Sequence, residues 1–210
     1  MVETQALPLR VTDGYRLARP YRDALLPGGV LCDERGLARH LPRYFYEVPS
    51  WDEARDTCLS RHFTVSEFIH TDVREAPPLR VFPRYIPCAT LLLAFALEQL
   101  REAVGTYVFI GANGGYCSPK HRGTGGASPH CWGTAANIYR IGDTYLDNPE
   151  TIRRYAALAR EVIPTVWTRP LGDERMLTDD HLHLDLGYVV SVPREASGET
   201  YNLKLAGDPL

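Results

Sequence analysis

The segment Asp180-His181-Leu182-His183-Leu184-Asp185-Leu186 constrains the fold of this chain more than any other. Side chains on a β-strand alternate between two faces, so Leu182, Leu184 and Leu186 share one face while His181, His183 and Asp185 share the other. The apolar face must be buried against a core, and the opposite face then presents two imidazoles and a carboxylate. A half-exposed strand whose polar side merely meets solvent gives the same alternation. The remainder of the chain weighs between the two.

Leu93, Leu97, Leu100 and Val104 recur at helical spacing within Pro87 to Val104, with charged residues elsewhere and Gly105 at the end, which predicts a helix. Thr106 to Ile110 reads as a buried strand and Thr134 to Ile141 as a second. Asn148 as N-cap, Pro149 and Glu150 open another helix, with Ile152, Ala156, Ala159 and Ile163 on its apolar face and Pro164 stopping it. Further strands are expected at 165–168 and 181–190. Residues 1 to about 60 read as irregular, punctuated by Pro27-Gly28-Gly29 and Asp33-Glu34-Arg35-Gly36, with a short helix from Glu53 to Leu59 behind a cap-like Ser50. Phe63 to Ile69 begins the regular region, either as a capping box between Thr64 and Glu67 or as a short strand. The mixed order predicts an α+β domain, a small antiparallel sheet packed against helices, over residues 63–193. Residues 1–62 form an N-terminal extension and 194–210 a polar tail.

With 44% hydrophobic and 23% charged residues among 210, the chain has material for a real core. A net charge of −3 with no basic stripe excludes the electrostatic footprint of a nucleic-acid or anionic-membrane partner. The longest apolar stretch, Ala89 to Leu97, is too short to span a bilayer, and Met1 to Pro20 lacks a signal-peptide core. Cys32, Cys58, Cys88, Cys117 and Cys131 are an odd number at irregular spacing with no C-x-x-C pair, which argues for a reducing, cytoplasmic setting. The expected partner is a small molecule or peptide; the sequence sets no oligomeric state.

A Gly-, Ser- and Pro-rich loop runs from Gly111 to Gly133, and a loop of that length inside a compact domain is usually functional. Its glycines do not meet the phosphate-loop pattern. Ser128-x-His130-x-x-Gly133-x-Ala135-x-Asn137 resembles the Ser-x-His-x-x-Gly-x-Ala-x-Asp signature of the D-alanyl-D-alanine carboxypeptidases and dipeptidases. These are the VanX- and VanY-like zinc peptidases, whose fold is shared by the hedgehog signalling domain and several phage endolysins. Gly115-Tyr116-Cys117-Ser118-Pro119 is similar to that family's Gly-Tyr-Arg-Ser-Pro element, Asp180-x-x-His183 to its acidic-x-x-His element, and Phe63 to Phe68 to its domain opening. The resemblance covers about residues 63–190 and implies a hedgehog-like α+β fold with a zinc ion, or another divalent metal, held by three protein ligands with a water in the fourth position. Carried over, His130, Asn137 and His183 are the metal ligands and Asp180 is the general base. Ser128 orients the substrate, with Tyr116 and Ser118 beside it, and His181 flanks the site as a donor to a developing oxyanion. The implied activity is hydrolysis of a small peptide or amide.

Two positions depart from the family. Asn137 stands where it has a ligand aspartate, leaving the metal set without negative charge. Cys117 stands where it has an arginine that stabilises the substrate carbonyl, a loss of roughly 3–4 kcal/mol in the transition state. Three explanations stay open: a binding protein without catalysis, a His2Cys metal set completed by Cys117, or another reaction with Cys117 as nucleophile. Cys117 as a packed small hydrophobe is the plain alternative. His121 is read as fixing the loop, Cys131 as core, Trp132 as pocket wall or packing, and His40, His62 and His70 as surface or helix-end residues. Arg140 and Arg169 are the cations that replace the missing arginine if they point inward.

Overall fold

The computed structural model describes residues 7–123, 125–171 and 180–194. Its elements are mixed helices and small antiparallel sheets, the α+β organisation expected from the sequence. The tail expected over 194–210 lies, after Arg194, outside the described residues.

The first sixty residues are more regular than their sequence suggests. They form β1 (Val11–Asp13), α1 (Arg19–Leu25), β2 (Val30–Cys32), β3 (Ala38–His40), β4 (Tyr44–Val48) and α2 (Trp51–Asp56). Ser50 caps α2, its hydroxyl accepting from the Glu53 amide at 3.1 Å. The capping box, not the strand, is realised at Thr64, whose amide donates to the Glu67 carboxylate at 2.8 Å and opens α3 (Val65–Phe68). β4 pairs antiparallel with β1 on one side and with β5 (Arg84–Pro87) on the other, so this sheet crosses the boundary at residue 62. A single core cluster likewise joins Leu25, Phe45 and Val48 to Leu93, Ile138 and Leu184.

α4 (Thr90–Val104) buries Leu93, Leu97 and Leu100 completely, and Gly105 ends it in the left-handed conformation at φ 64°. Burial of each leucine is worth about 1.5–3 kcal/mol. β6 (Val108–Ile110), β7 (Ala135–Ile141) and β8 (Thr144–Tyr145) follow, and then α5 (Pro149–Val162), capped by the Asn148 side chain. β9 (Trp167–Thr168) and β10 (Leu182–Asp185) complete a five-stranded antiparallel sheet of order β6-β7-β10-β9, with β8 paired to β7. β10 is shorter than the run expected over 181–190, and Gly187 follows it at φ 73°. No helix among the described residues is long and apolar enough to cross a membrane.

Candidate functional site

The register of the central strand pair creates the site. Leu182 pairs with Ile138 and Leu184 with Ala136, all four fully buried on the core side. His183 pairs with Asn137, so residues 46 positions apart become cross-strand neighbours on the opposite face. The Gly111–Gly133 loop folds back over that face. Gly115 lies so close to α3 that an added Cβ would stand 2.5 Å from the Phe68 carbonyl oxygen. This close approach brings the Gly115 carbonyl to the His130 ring. Gly133, at φ 69°, turns the chain from the short 3-10 helix Pro129–Trp132 into β7.

The His130 and His183 rings are 5.2 Å apart, centroid to centroid, and both side chains are buried. Each has one nitrogen fixed. His130 Nδ1–H donates to the Gly115 carbonyl at 2.7 Å, which leaves the Nε2 lone pair unprotonated. His183 Nε2–H donates to Asp185 Oδ2 at 3.0 Å, while Asp185 Oδ1 accepts from the Gly187 amide at 2.7 Å. Burial, then the neighbouring His183, pushes the His130 pKa down to about 3. Burial also lowers that of His183, with the Asp185 bond opposing and the Arg169 charge reinforcing the shift. Both imidazoles are therefore neutral near pH 7.

This tautomer leaves the Nδ1 lone pair of His183 facing Asn137 Oδ1 at 2.8 Å. Two acceptors do not hold that distance by themselves. Either a cation lies between them, or the amide turns over so that its NH2 donates to Nδ1. In the first arrangement His130 Nε2, His183 Nδ1 and Asn137 Oδ1 are the donor atoms, and Asp185 behind His183 sets the tautomer as carboxylates do for zinc-bound histidines. The chemistry of that donor set, two nitrogens and an amide oxygen without charge, is compatible with a divalent metal. No group of three His, Cys, Asp or Glu side chains among the described residues is placed to hold one.

The histidines line a cavity of about 1110 Å³ together with Ser128, Asn137, Cys117, Asp180 and His181. Asp180 is an exposed rim residue whose Oδ1 accepts from His181 Nδ1 at 2.6 Å, and the buried Nε2 of His181 has no partner in the structure. The proposed base and its neighbour therefore form a carboxylate–imidazole pair. Cys117 is buried, its thiol donating to the Asn113 carbonyl at 3.4 Å, and burial together with the charge of Glu75 pushes its pKa far up. That environment opposes a thiolate, whether as nucleophile or as metal ligand.

Tyr116 and Ser118 do not line the cavity. Ser118 is fully buried and bound to Glu75, its amide at 2.9 Å and its hydroxyl at 2.5 Å from the two carboxylate oxygens. Tyr116 lies in the core beside a separate small void lined by Glu75 and Arg84. These two hold the loop in place instead of meeting a ligand, because Glu75 reaches under it from the segment before β5. Arg140 does not line the cavity, its guanidinium lying 4.0 Å from the Phe109 ring centroid, whereas Arg169 does. His121 accepts from the Gly123 amide at 3.1 Å and so fixes the loop as expected.

Sequence reasoning missed one wall altogether. The β2–β3 hairpin contributes Asp33, Glu34, Arg35 and Arg39 to the cavity. It is clamped to the His130 loop: the Trp132 indole donates to the His40 carbonyl at 2.8 Å and the Ala127 amide to the Cys32 carbonyl at 3.1 Å. Arg39 is bound to Asp33 at 2.7 Å and lies 4.8 Å over the Tyr188 ring, which itself packs edge-on against Trp132. The roles of Asp185 and Glu75 were also missed. The first had a signal, since it falls two residues after His183 on the same strand face; the second had none. Comparison of the chain with protein-family models, with curated proteins and with solved structures finds no significant match in any of the three.

Proposed function

We propose that the chain is a metal-dependent hydrolase of the D-alanyl-D-alanine peptidase type, acting on a small peptide or amide inside this cavity. One observation carries the reading. Two buried neutral histidines each have one ring nitrogen fixed by a hydrogen bond, and the nitrogen facing Asn137 is left as a bare acceptor. His130, His183 and Asn137 would hold the ion, which when bound supplies Lewis acidity that activates water and polarises a carbonyl. Asp185 keeps His183 in the ligand tautomer. The Asp180–His181 pair lies on the cavity wall, where it would take a proton from the attacking water and return it to the leaving amine as the bond breaks. The hairpin closes one side of the cavity, which suits a small substrate.

A second reading has its own support. If the Asn137 amide donates to His183 Nδ1, the chain Asn137–His183–Asp185 is complete without a metal, and the cavity serves binding without turnover. Zinc titration with elemental analysis, followed by an assay of D-alanine release from D-alanyl-D-alanine and from a peptide ending in it, separates the two. The hydrolase reading expects about one zinc per chain and measurable turnover, with zinc bound more tightly in Asn137→Asp because the ligand set gains a charge. Absence of zinc in the parent, with zinc and activity appearing only in Asn137→Asp, establishes the binding-protein reading instead.

A further inference from the structure

We propose that Trp167 is a platform on which the pocket receives an aromatic side chain of the substrate, so that the peptides or amides it favours carry such a ring beside the reacting bond. The reaction named there rests on the hydrolase reading above, whereas the ring site itself needs no metal. Trp167 stands on β9 directly across from Asp185 of β10, the residue that holds the back of His183. Cross-strand partners present their side chains on the same face of a sheet, so the indole belongs to the face that carries His183 and Asn137. Its ring centroid is 5.9 Å from that of His183, with the two planes at 73°. Such an edge-to-face contact covers an edge, or at most one face, of the indole. Trp167 lines the cavity and remains 50% exposed. An open indole face therefore stands beside one of the two histidines.

The other aromatic side chains of the cavity are engaged elsewhere. The Tyr188 hydroxyl donates to the Ala127 carbonyl at 2.9 Å, and its ring packs on Trp132 with Arg39 over it. Tyr139 belongs to a separate aromatic group on β6, β7 and β8, its ring 6.2 Å from that of Phe109 and 6.4 Å from that of Tyr145. The hairpin wall is clamped to the His130 loop and brings Asp33 and Arg39, whereas His183 has the indole beside it. The cavity thus offers charged groups from the hairpin and a flat apolar surface from Trp167. A ring laid on that surface removes apolar area of both partners from water, and aromatic pairs gain further from their quadrupoles. The methyl group of an alanyl residue is too small to cover an indole face, so the platform favours a larger, planar side chain.

The test titrates the whole chain, metal-free and zinc-loaded, with N-acetyl-phenylalanine amide and separately with N-acetyl-alanine amide. The imidazole resonances of His130 and His183 and the indole resonance of Trp167 report binding. Parent, Trp167→Phe and Trp167→Ala are compared, and zinc affinity is measured for each by chelator competition. The parent should bind the phenylalanine probe about tenfold or more tightly than the alanine probe. Trp167→Ala should lose that preference while its affinity for the alanine probe and for zinc holds, and Trp167→Phe should keep part of it. Equal affinity of the parent for the two probes, or no binding of the phenylalanine probe, overturns the proposal. So does a preference that survives in Trp167→Ala. A parallel fall in zinc affinity and in affinity for both probes, with no recovery in Trp167→Phe, marks a residue that only packs against His183 and overturns it as well. The metal-free titration separates the two readings. If the parent takes up no zinc, the hydrolase reading fails, and the probe preference of the metal-free chain decides the ring site by itself. Zinc uptake and turnover without any preference leave the hydrolase reading standing and remove this one.

Discussion

Replacing Asp185 by asparagine tests the logic of the site at one atom. Asp185 accepts from two donors, the Gly187 amide at 2.7 Å and His183 Nε2–H at 3.0 Å, and its side chain is nearly inaccessible. Asparagine has the same shape but one acceptor. Its oxygen keeps the shorter bond to Gly187, which closes the turn after β10, and its NH2 then faces His183. The imidazole responds by moving its proton from Nε2 to Nδ1, where Asn137 Oδ1 at 2.8 Å accepts it. The exchange removes one charge-assisted hydrogen bond, about 1.5–3 kcal/mol, and gains two neutral ones of about 1 kcal/mol each, so the fold should lose no more than ~1 kcal/mol. The Nδ1 lone pair, however, is gone. Zinc affinity should fall by about 10–100-fold, the usual scale for losing such a partner. Nitrogen-15 chemical shifts of the His183 ring read the tautomer directly in the metal-free chain, and chelator competition reads the affinity. A ring that stays protonated at Nε2 in Asp185→Asn, or zinc affinity equal to that of the parent, refutes the reasoning.

Three further outcomes follow from the same geometry. The metal-free chain should lose stability in acid: His130 is held neutral in the fold with its pKa lowered from 6.5 to about 3, so the unfolded chain binds more protons between those values. That contribution is complete above pH 6.5 and declines by ~1.4 kcal/mol per unit as pH falls through the window, visible in urea unfolding midpoints, and lessened in His130→Gln. Gly133→Ala should cost ~2 kcal/mol or more, because φ is 69° and the new methyl carbon would lie 2.3 Å from Thr90 Oγ1; thermal unfolding measures it. Cys117→Ala should cost ~1 kcal/mol and leave zinc affinity unchanged, and iodoacetamide should label exposed Cys32 and Cys58 in the native chain while sparing Cys117.

The parts of this fold that were legible in the sequence are those governed by local rules. Asn148 and Gly105 mark helix ends because caps act within a few residues, and the two-residue period of β10 told which side chains face the core. The sequence could not say that His183 and Asn137 pair across neighbouring strands, nor that Asp185 holds the back of His183. Tyr44–Val48, flanked by Pro42 and Pro49, was passed over although its aromatic and β-branched residues suit a strand. It is buried on both faces and so shows no alternation, and its partners lie as far away as Arg84–Pro87. The β2–β3 hairpin showed only its turn. Its strands are three residues each and largely exposed, so nothing in their hydrophobicity announces that they wall a cavity.

The clamp between that hairpin and the histidine loop has a consequence for how the protein is made. Trp132 and His40 are 92 residues apart, and a ribosome adds only about 5–20 residues each second. For several seconds the hairpin and Leu41 have no Trp132 to pack on. β1, β4 and β5 can meet as soon as Pro87 has emerged, whereas the cavity waits for β7 and then for β10, which carries His183. The nascent chain therefore acquires its first sheet well before it owns a site, and a metal met on the way out finds no pocket to enter.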